Sequence, residues 1–238
     1  MNGNGKATTP RKKTELEQLI CDVHGHHLNH HNREIYVQSY TGDDEEAGVD
    51  FRMCSTFIKN LHILDHQKDE NILIHMQTCG GCWNYGMAMF NAIQFARSPV
   101  TILAYAHSRS MSSIIPQAAA KRVIMPDADF MVHNGTLSDE GEFTAVMSGM
   151  DHAKKTTQRM LDIYAHRCIK GEYFQKRYKS LTHEKVVEFI KRKMEQKVDW
   201  WITAEEAVYY GFYDGVMGSK GFENFEKIRN TPKKLPVF

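Results

Sequence analysis

The sequence predicts an α/β fold with a largely parallel sheet, and three observations carry that prediction. Apolar runs of strand length occur at Ile35–Tyr40, Asn71–Met76 and Val100–Ala106. Stretches with apolar residues at helical spacing separate them, with Phe51, Cys54, Ile58 and Leu61 on one face and later Met87, Phe90 and Ile93. The segments leading from the last two of these strands into helices are rich in glycine or serine. In folds of this class, loops after strands gather function at one edge of the sheet.

Taken in order, residues 1–32 read as a flexible polar lead-in that becomes histidine-rich from His24 to His31. Ile35–Tyr40 is the first strand, closed by the turn-like Thr41-Gly42-Asp43-Asp44. A helix, the strand Asn71–Met76 and a helix over 83–96 follow, and then the strand Val100–Ala106. Ser110 to Lys121 reads as a helix in which Pro116 removes one backbone hydrogen bond and imposes a kink. Asp129 to His133 is another strand-like run. Residues 143–168 form a long helical stretch that projects beyond the core, and a charged helical region follows over 173–196. Thr203-Ala204-Glu205-Glu206 has the capping-box pattern, and Gly211 suits the left-handed position that ends that helix. The tail 219–238, with Pro232 and Pro236, shows little periodicity. The peptide divides into the lead-in 1–32, one domain over 33–218 and the tail.

Composition narrows the function. A chain of 238 residues with 42% hydrophobic and 25% charged residues suits one globular domain with appendages. A formal net charge of +1 gives no electrostatic reason to expect nucleic acid or an anionic membrane as partner. No window approaches the roughly 18 apolar residues of a membrane span, and the basic N-terminus has no apolar core of a secretory signal. Five cysteines, an odd number and mostly scattered, fit reduced thiols in a cytoplasm. No G-x-x-x-x-G-K-[ST] loop occurs, so no ATP site and no other cofactor is expected in this chain.

The chemistry-bearing residues are Ser110, His133 and Asp199. A serine hydroxyl is a poor nucleophile unless a base takes its proton and an acid orients that base. Ser110 stands where a strand gives way to a helix, among Ser108, Ser112 and Ser113; spacing alone leaves all four open, as helix-starting residues as much as nucleophiles. His133 is one of thirteen histidines, and a lone histidine after an apolar run is more often a satisfied half-buried residue than a base. Asp199 reads equally as an ordinary residue before a helix. Cys79-Gly80-Gly81-Cys82 offers a redox pair, half a zinc site or a backbone-exposing loop; the two glycines and the lack of a second Cys-x-x-Cys favour the loop. The histidine cluster invites a metal, but no cysteine or carboxylate spacing completes a site, so none is expected.

These segments resemble the Clp protease proteolytic subunits, the ClpP type of serine peptidase, from about Arg33 to Met217. Ile72-Leu-Ile-His-Met-Gln-Thr-Cys-Gly-Gly81 is similar to that family's strand and Asn-Ser-Pro-Gly-Gly loop, and Ser110-Met111 to its nucleophile and following methionine. Met125-Pro126-Asp-Ala-Asp-Phe-Met-Val-His133 resembles its Leu-Pro-Asn-x-x-x-Met-Ile-His segment. Asp199 to Asp214 resembles its segment beginning with the acid and continuing Ala-x-Glu-Ala-x-x-Tyr-Gly-x-x-Asp. The resemblance implies a ClpP/crotonase-like spiral of β-β-α units with a projecting helical handle over about 139–197. It selects Ser110 as nucleophile, His133 as base and Asp199 as orienting acid, with Gly81 and Met111 N–H groups as oxyanion donors. It also implies polypeptide substrates, a homo-oligomeric ring and an AAA+ unfoldase that acts in trans. Arg109 replaces the small residue usual beside the nucleophile and predicts altered substrate preference or access; Val198 replaces an arginine usual before the acid. Three alternatives stand beside a general endopeptidase. One is a dedicated processing protease, such as one maturing a viral capsid, and another is a non-catalytic structural subunit. The third, a crotonase-type acyl-CoA enzyme, lacks the glutamate it needs near Ser110.

Overall fold

The computed structural model describes residues 13–229, apart from 137 and 139. Residues 1–12 of the lead-in, residues 230–238 of the tail with Pro232 and Pro236, and residue 139 at the start of the handle interval lie outside the described residues. Helix α1 (Glu15–His26) opens the described chain. Thr14 Oγ1 accepts from the Glu17 N–H while the Glu17 carboxylate accepts from the Thr14 N–H. This reciprocal cap satisfies two otherwise unpaired donors, so much of the expected flexible lead-in is helix instead. The Thr14-x-x-Glu17 spacing is the signal for it.

A hairpin of β1 (Leu28–Asn29) and β2 (Glu34–Val37) follows. Strand β2 stops short of Tyr40 because Tyr40 N–H turns to Asp43 Oδ2, at 2.7 Å, and closes a turn. Asp50 caps helix α2 (Phe51–Gln67) by accepting from Met53 N–H at 2.8 Å. Then come β3 (Ile72–Met76), α3 (Trp83–Phe95), β4 (Val100–Ala104) and the short β5 (His107–Arg109). The expected helix 110–121 is only α4 (Met111–Ile114), continued by a 3-10 turn over Ile115–Ala118 that contains Pro116. Lys121 belongs instead to a strand, β6 (Lys121–Ile124). Strand β7 (Asp129–Val132) precedes the long α5 (Phe143–Cys168), whose bounds match the expectation. The charged region after it is two helices, α6 (Glu172–Arg177) and α7 (His183–Lys197), with Thr182 capping the second. Strand β8 (Trp200–Ile202), helix α8 (Ala204–Tyr210) with its Thr203–Glu206 capping box, strand β9 (Gly215–Val216) and helix α9 (Phe225–Arg229) complete it.

The main sheet has the order β1-β2-β3-β4-β6-β9 and is parallel from β2 onwards. Every residue of β3 and β4 is buried, as a parallel sheet covered on both faces requires. Helices α2 and α3 cover one face with Phe57, Leu61, Phe90 and Ile93. On the other, Ile228 of α9 packs on Leu73, Leu103 and Val123, so the tail is partly structural rather than aperiodic. Strands β5, β7 and β8 form a second, smaller sheet in that order. This α/β architecture is the one the sequence predicts.

A buried cation ties the sheet to the segment after α8. Arg122 of β6 donates from Nε to Asp214 Oδ2 at 3.2 Å and pairs through Nη2 with Asp214 Oδ1. Its Nη1 donates to Gln117 Oε1 at 2.9 Å and to the carbonyls of Gly211 and Phe212 at 3.0 and 3.1 Å. Burial works to raise the Asp214 carboxyl, but the Arg122 charge and hydrogen bonds bring it below the usual carboxylate range. Asp214→Asn is expected to lower stability at neutral pH by about 3 kcal/mol, because it leaves the buried Arg122 charge without its counter-ion. A carboxyl that titrates lower in the folded chain stabilises fully above its unfolded range and loses that contribution as pH falls through the folded titration. Urea unfolding of both proteins at neutral and acidic pH should therefore show the difference shrinking in acid.

Candidate active site

The register of the small sheet positions the three candidate residues. Strand β5 runs parallel to β7 with Arg109 opposite Met131. Strand β8 runs antiparallel to β7 with Trp200 opposite Val132. One step beyond these pairs lie Ser110, His133 and Asp199, so three strand ends meet at one corner. A slip of one residue would turn each side chain to the other face. The register is held by burial: Phe130, Val132, Trp200 and Ile202 sit in the core while Trp201 faces outward.

At that corner His133 Nδ1 lies 3.2 Å from Asp199 Oδ1. A neutral imidazole with its Nδ1 proton on that carboxylate carries its lone pair on Nε2. Among the described residues His133 Nε2 has no hydrogen-bond partner, Ser110 Oγ included; catalytic contacts of this kind tighten in the Michaelis complex. Ser110 and His133 face a common cavity of about 630 Å³ that Gly81 and Met111 also line. All the candidates except Asp199 therefore meet in one space, and Asp199 reaches it through His133.

The backbone explains why Ser110, among its neighbours, opens to that cavity. Ser110 has φ 53° and ψ −126° at the turn from β5 into α4, a region that non-glycine residues rarely occupy. Such a strand-to-helix elbow lifts the side chain clear of the backbone. Ser113 secures the elbow, its N–H and Oγ both donating to the Ser110 carbonyl at 3.0 and 2.6 Å. The other three serines are fully buried. Ser108 Oγ donates to the Ser112 carbonyl and accepts from Tyr213 OH, both at 2.7 Å. Ser112 Oγ donates to the Arg109 carbonyl at 2.7 Å, and Ser113 Oγ shares a 2.6 Å bond with Tyr164 OH. Burial raises both phenols above their usual range, keeping them as donors.

The glycine loop approaches from the other side. Gly80 and Gly81 have φ 96° and 141°. A Cβ on Gly80 would lie 2.7 Å from Ser110 Cβ, and one on Gly81 would lie 2.6 Å from Val49 N and O. Val49 N–H donates to Gly80 O at 2.5 Å and Val49 O accepts from Cys82 N–H at 2.8 Å. This parallel bridge uses the groups on either side of Gly81, so the Gly81 N–H turns away from Val49. Met111 is the first residue of α4, where backbone N–H groups have no intrahelical acceptor. Both donors thus border the cavity beside Ser110. Cys79 and Cys82 are free thiols, and Cys82 is exposed on the cavity wall.

With this geometry in place, comparison with known proteins decides the family: residues 45–220 match the Clp protease family. The chain belongs to that family. It is 28% identical over 176 residues to the ATP-dependent Clp protease proteolytic subunit of Streptococcus gordonii, covering 72% of this chain and 81% of that protein. The proteins of the same name from Streptococcus equi subsp. equi and Ligilactobacillus salivarius are each 26% identical. They cover 71% and 79% of this chain, and 80% and 85% of their own lengths.

Some features of this Clp protease family chain escape sequence reasoning. The far wall of the cavity comes from α5, through His152, Thr156, Thr157 and Met160; their helical spacing was visible, but not what they face. Val198, exposed, ends α7 at φ 62° and turns the chain so that Asp199 enters β8 beside His133. For a β-branched residue that conformation is strained.

One histidine of the His24–His31 run has a structural place. His27 is buried at the left-handed end of α1, its Nδ1 3.0 Å from Tyr36 O. Among the described residues no group of three potential metal ligands gathers.

Two substitutions test this description. Val198→Gly should raise stability by about 1 kcal/mol by relieving the positive φ, seen as a higher urea midpoint. Gly80→Ala should slow acylation of Ser110 by a serine-directed probe about 100-fold, the scale of loss for a displaced reacting group, measured by the rate of label uptake.

Proposed function

We propose that the protein is a serine endopeptidase that works through Ser110, His133 and Asp199 and an acyl-enzyme. The observation that carries this reading is the convergence of the three strand ends, with His133 Nδ1 against Asp199 and Ser110 on the shared cavity. Ser110 Oγ attacks the scissile carbonyl carbon as His133 Nε2 takes its proton. The N–H groups of Gly81 and Met111 hold the negative oxygen of the tetrahedral intermediate. His133 returns the proton to the departing amine, and Asp199 keeps the ring in the productive tautomer and stabilises its charged form. A water, deprotonated by His133 in turn, then attacks the Ser110 ester and releases the acid. The cavity wall, with the buried Met160 of α5 and Ile114 of α4 beside the threonines of α5, suits a mainly apolar substrate side chain.

Ring assembly and a separate ATP-driven unfoldase are part of the same proposal. The relatives are named as subunits of an ATP-dependent protease, while this sequence carries no phosphate-binding loop of the P-loop type. The N-terminal half of α5 leaves Phe143, Met147 and Met150 exposed, apolar surface of the sort that association covers. No helix of the described residues is long and apolar enough to cross a membrane. Action in a cytoplasm, with reduced thiols, completes the reading.

Labelling with a fluorophosphonate, followed by peptide mapping, tests the central step. Modification should fall on Ser110 alone and vanish in Ser110→Ala. Asp199→Asn should retain the fold and lower the labelling rate about 1,000-fold or more, as loss of the orienting acid does in such triads. A folded wild-type protein that takes no label would instead support a non-catalytic subunit.

A further inference from the structure

The geometry points to Glu46 as a positioning residue for the acylation step, an inference that rests on the peptidase reading above. Glu46 lies outside the cavity and touches neither nucleophile nor oxyanion donor. Its carboxylate instead reaches both ends of β5, the strand that delivers Ser110. Glu46 Oε1 lies 2.5 Å from His107 Nε2, a close contact outside hydrogen-bond alignment, and Oε2 accepts from Arg109 Nη2 at 3.3 Å. His107 and Arg109 project from the same side of that strand, being two residues apart.

Three residues further along the same loop, Val49 makes the bridge that holds Gly80, Gly81 and Cys82. Chain of that length spans at most about 10 Å. Between the two anchors, Ala47 is held at both of its backbone groups. Its N–H donates to Ser39 Oγ and its carbonyl accepts from Thr78 Oγ1, each at 2.7 Å. A Cβ on Gly48 would come within 3.3 Å of Gly80 O, so the segment lies flat against the glycine loop. One short, doubly anchored segment therefore fixes the nucleophile strand and the oxyanion loop relative to each other. Arg109, the large cation beside the nucleophile, has its role here as the partner of Glu46.

The test measures saturation kinetics of Ser110 phosphonylation by a fluorophosphonate, which displaces fluoride, in wild type, Glu46→Ala and Glu46→Gln, together with amide hydrogen exchange. Glu46→Ala should lower the maximal phosphonylation rate at Ser110 about tenfold or more, since small displacements of reacting groups are costly. The half-saturating probe concentration should stay unchanged. Glu46→Gln, which keeps an acceptor oxygen for Arg109, should recover most of the rate. The amides of Cys82 and Arg109, bonded to Val49 O and Ser112 Oγ, should exchange faster together in Glu46→Ala. A wild-type phosphonylation rate in Glu46→Ala, equal losses in both variants, or faster exchange at only one of the two amides would overturn the inference. If wild-type protein takes no label at Ser110, the peptidase reading fails; the exchange of the two amides then decides alone whether Glu46 couples the segments.

Discussion

Everything at the candidate site depends on the register of one small sheet. Strands β5, β7 and β8 are three or four residues long, too short to be stable alone. What holds them is the core beneath: Phe130 packs on Phe212 with ring centroids 4.6 Å apart, and Trp200 packs on Tyr210 and Phe212. Aromatic burial thus acts at a distance from the chemistry. It leaves His133 and Asp199 one step past a paired position, where their side chains meet without help from their immediate sequence neighbours.

Two of the four described non-glycine residues with positive φ, Ser110 and Val198, stand at the same corner, and Gly80 and Gly81 are placed where a Cβ would collide with Ser110 or Val49. Each strained non-glycine residue costs about 1–3 kcal/mol. The surrounding bonds over-determine it. Ser113, Ser112 and Ser108 tie the elbow to Tyr164 and Tyr213, and Arg167 donates to the carbonyls of Gln117 and Ala119 just beyond it. The polar cluster around the nucleophile is therefore a clamp, with only one of its serines turned to the cavity.

The long elements were legible because their signals are local. Helix α5 shows its period along its whole length, and the Thr203–Glu206 box marks α8 as it stands. The Clp protease resemblance likewise rested on short contiguous runs, and it selected Ser110 where spacing left four serines open. What escaped was decided elsewhere in the chain. Lys121-Arg122 looks unlike a strand because Arg122 is buried through partners distant in sequence, above all Asp214, 92 residues away. Strands β5 and β8 are too short to alternate visibly. Helix α1 carries a signal as local as that of α8, the Thr14–Glu17 box, but the histidines around it make the segment read as solvated chain.

The most direct test is a crystal structure of the protein after reaction with a serine-directed phosphonate. The account predicts phosphorus bonded to Ser110 Oγ and the phosphoryl oxygen within hydrogen-bond distance of the Gly81 and Met111 N–H groups. His133 should sit between the adduct and Asp199. An adduct on another residue, or His133 and Asp199 parted with β8 in a different register against β7, would contradict it.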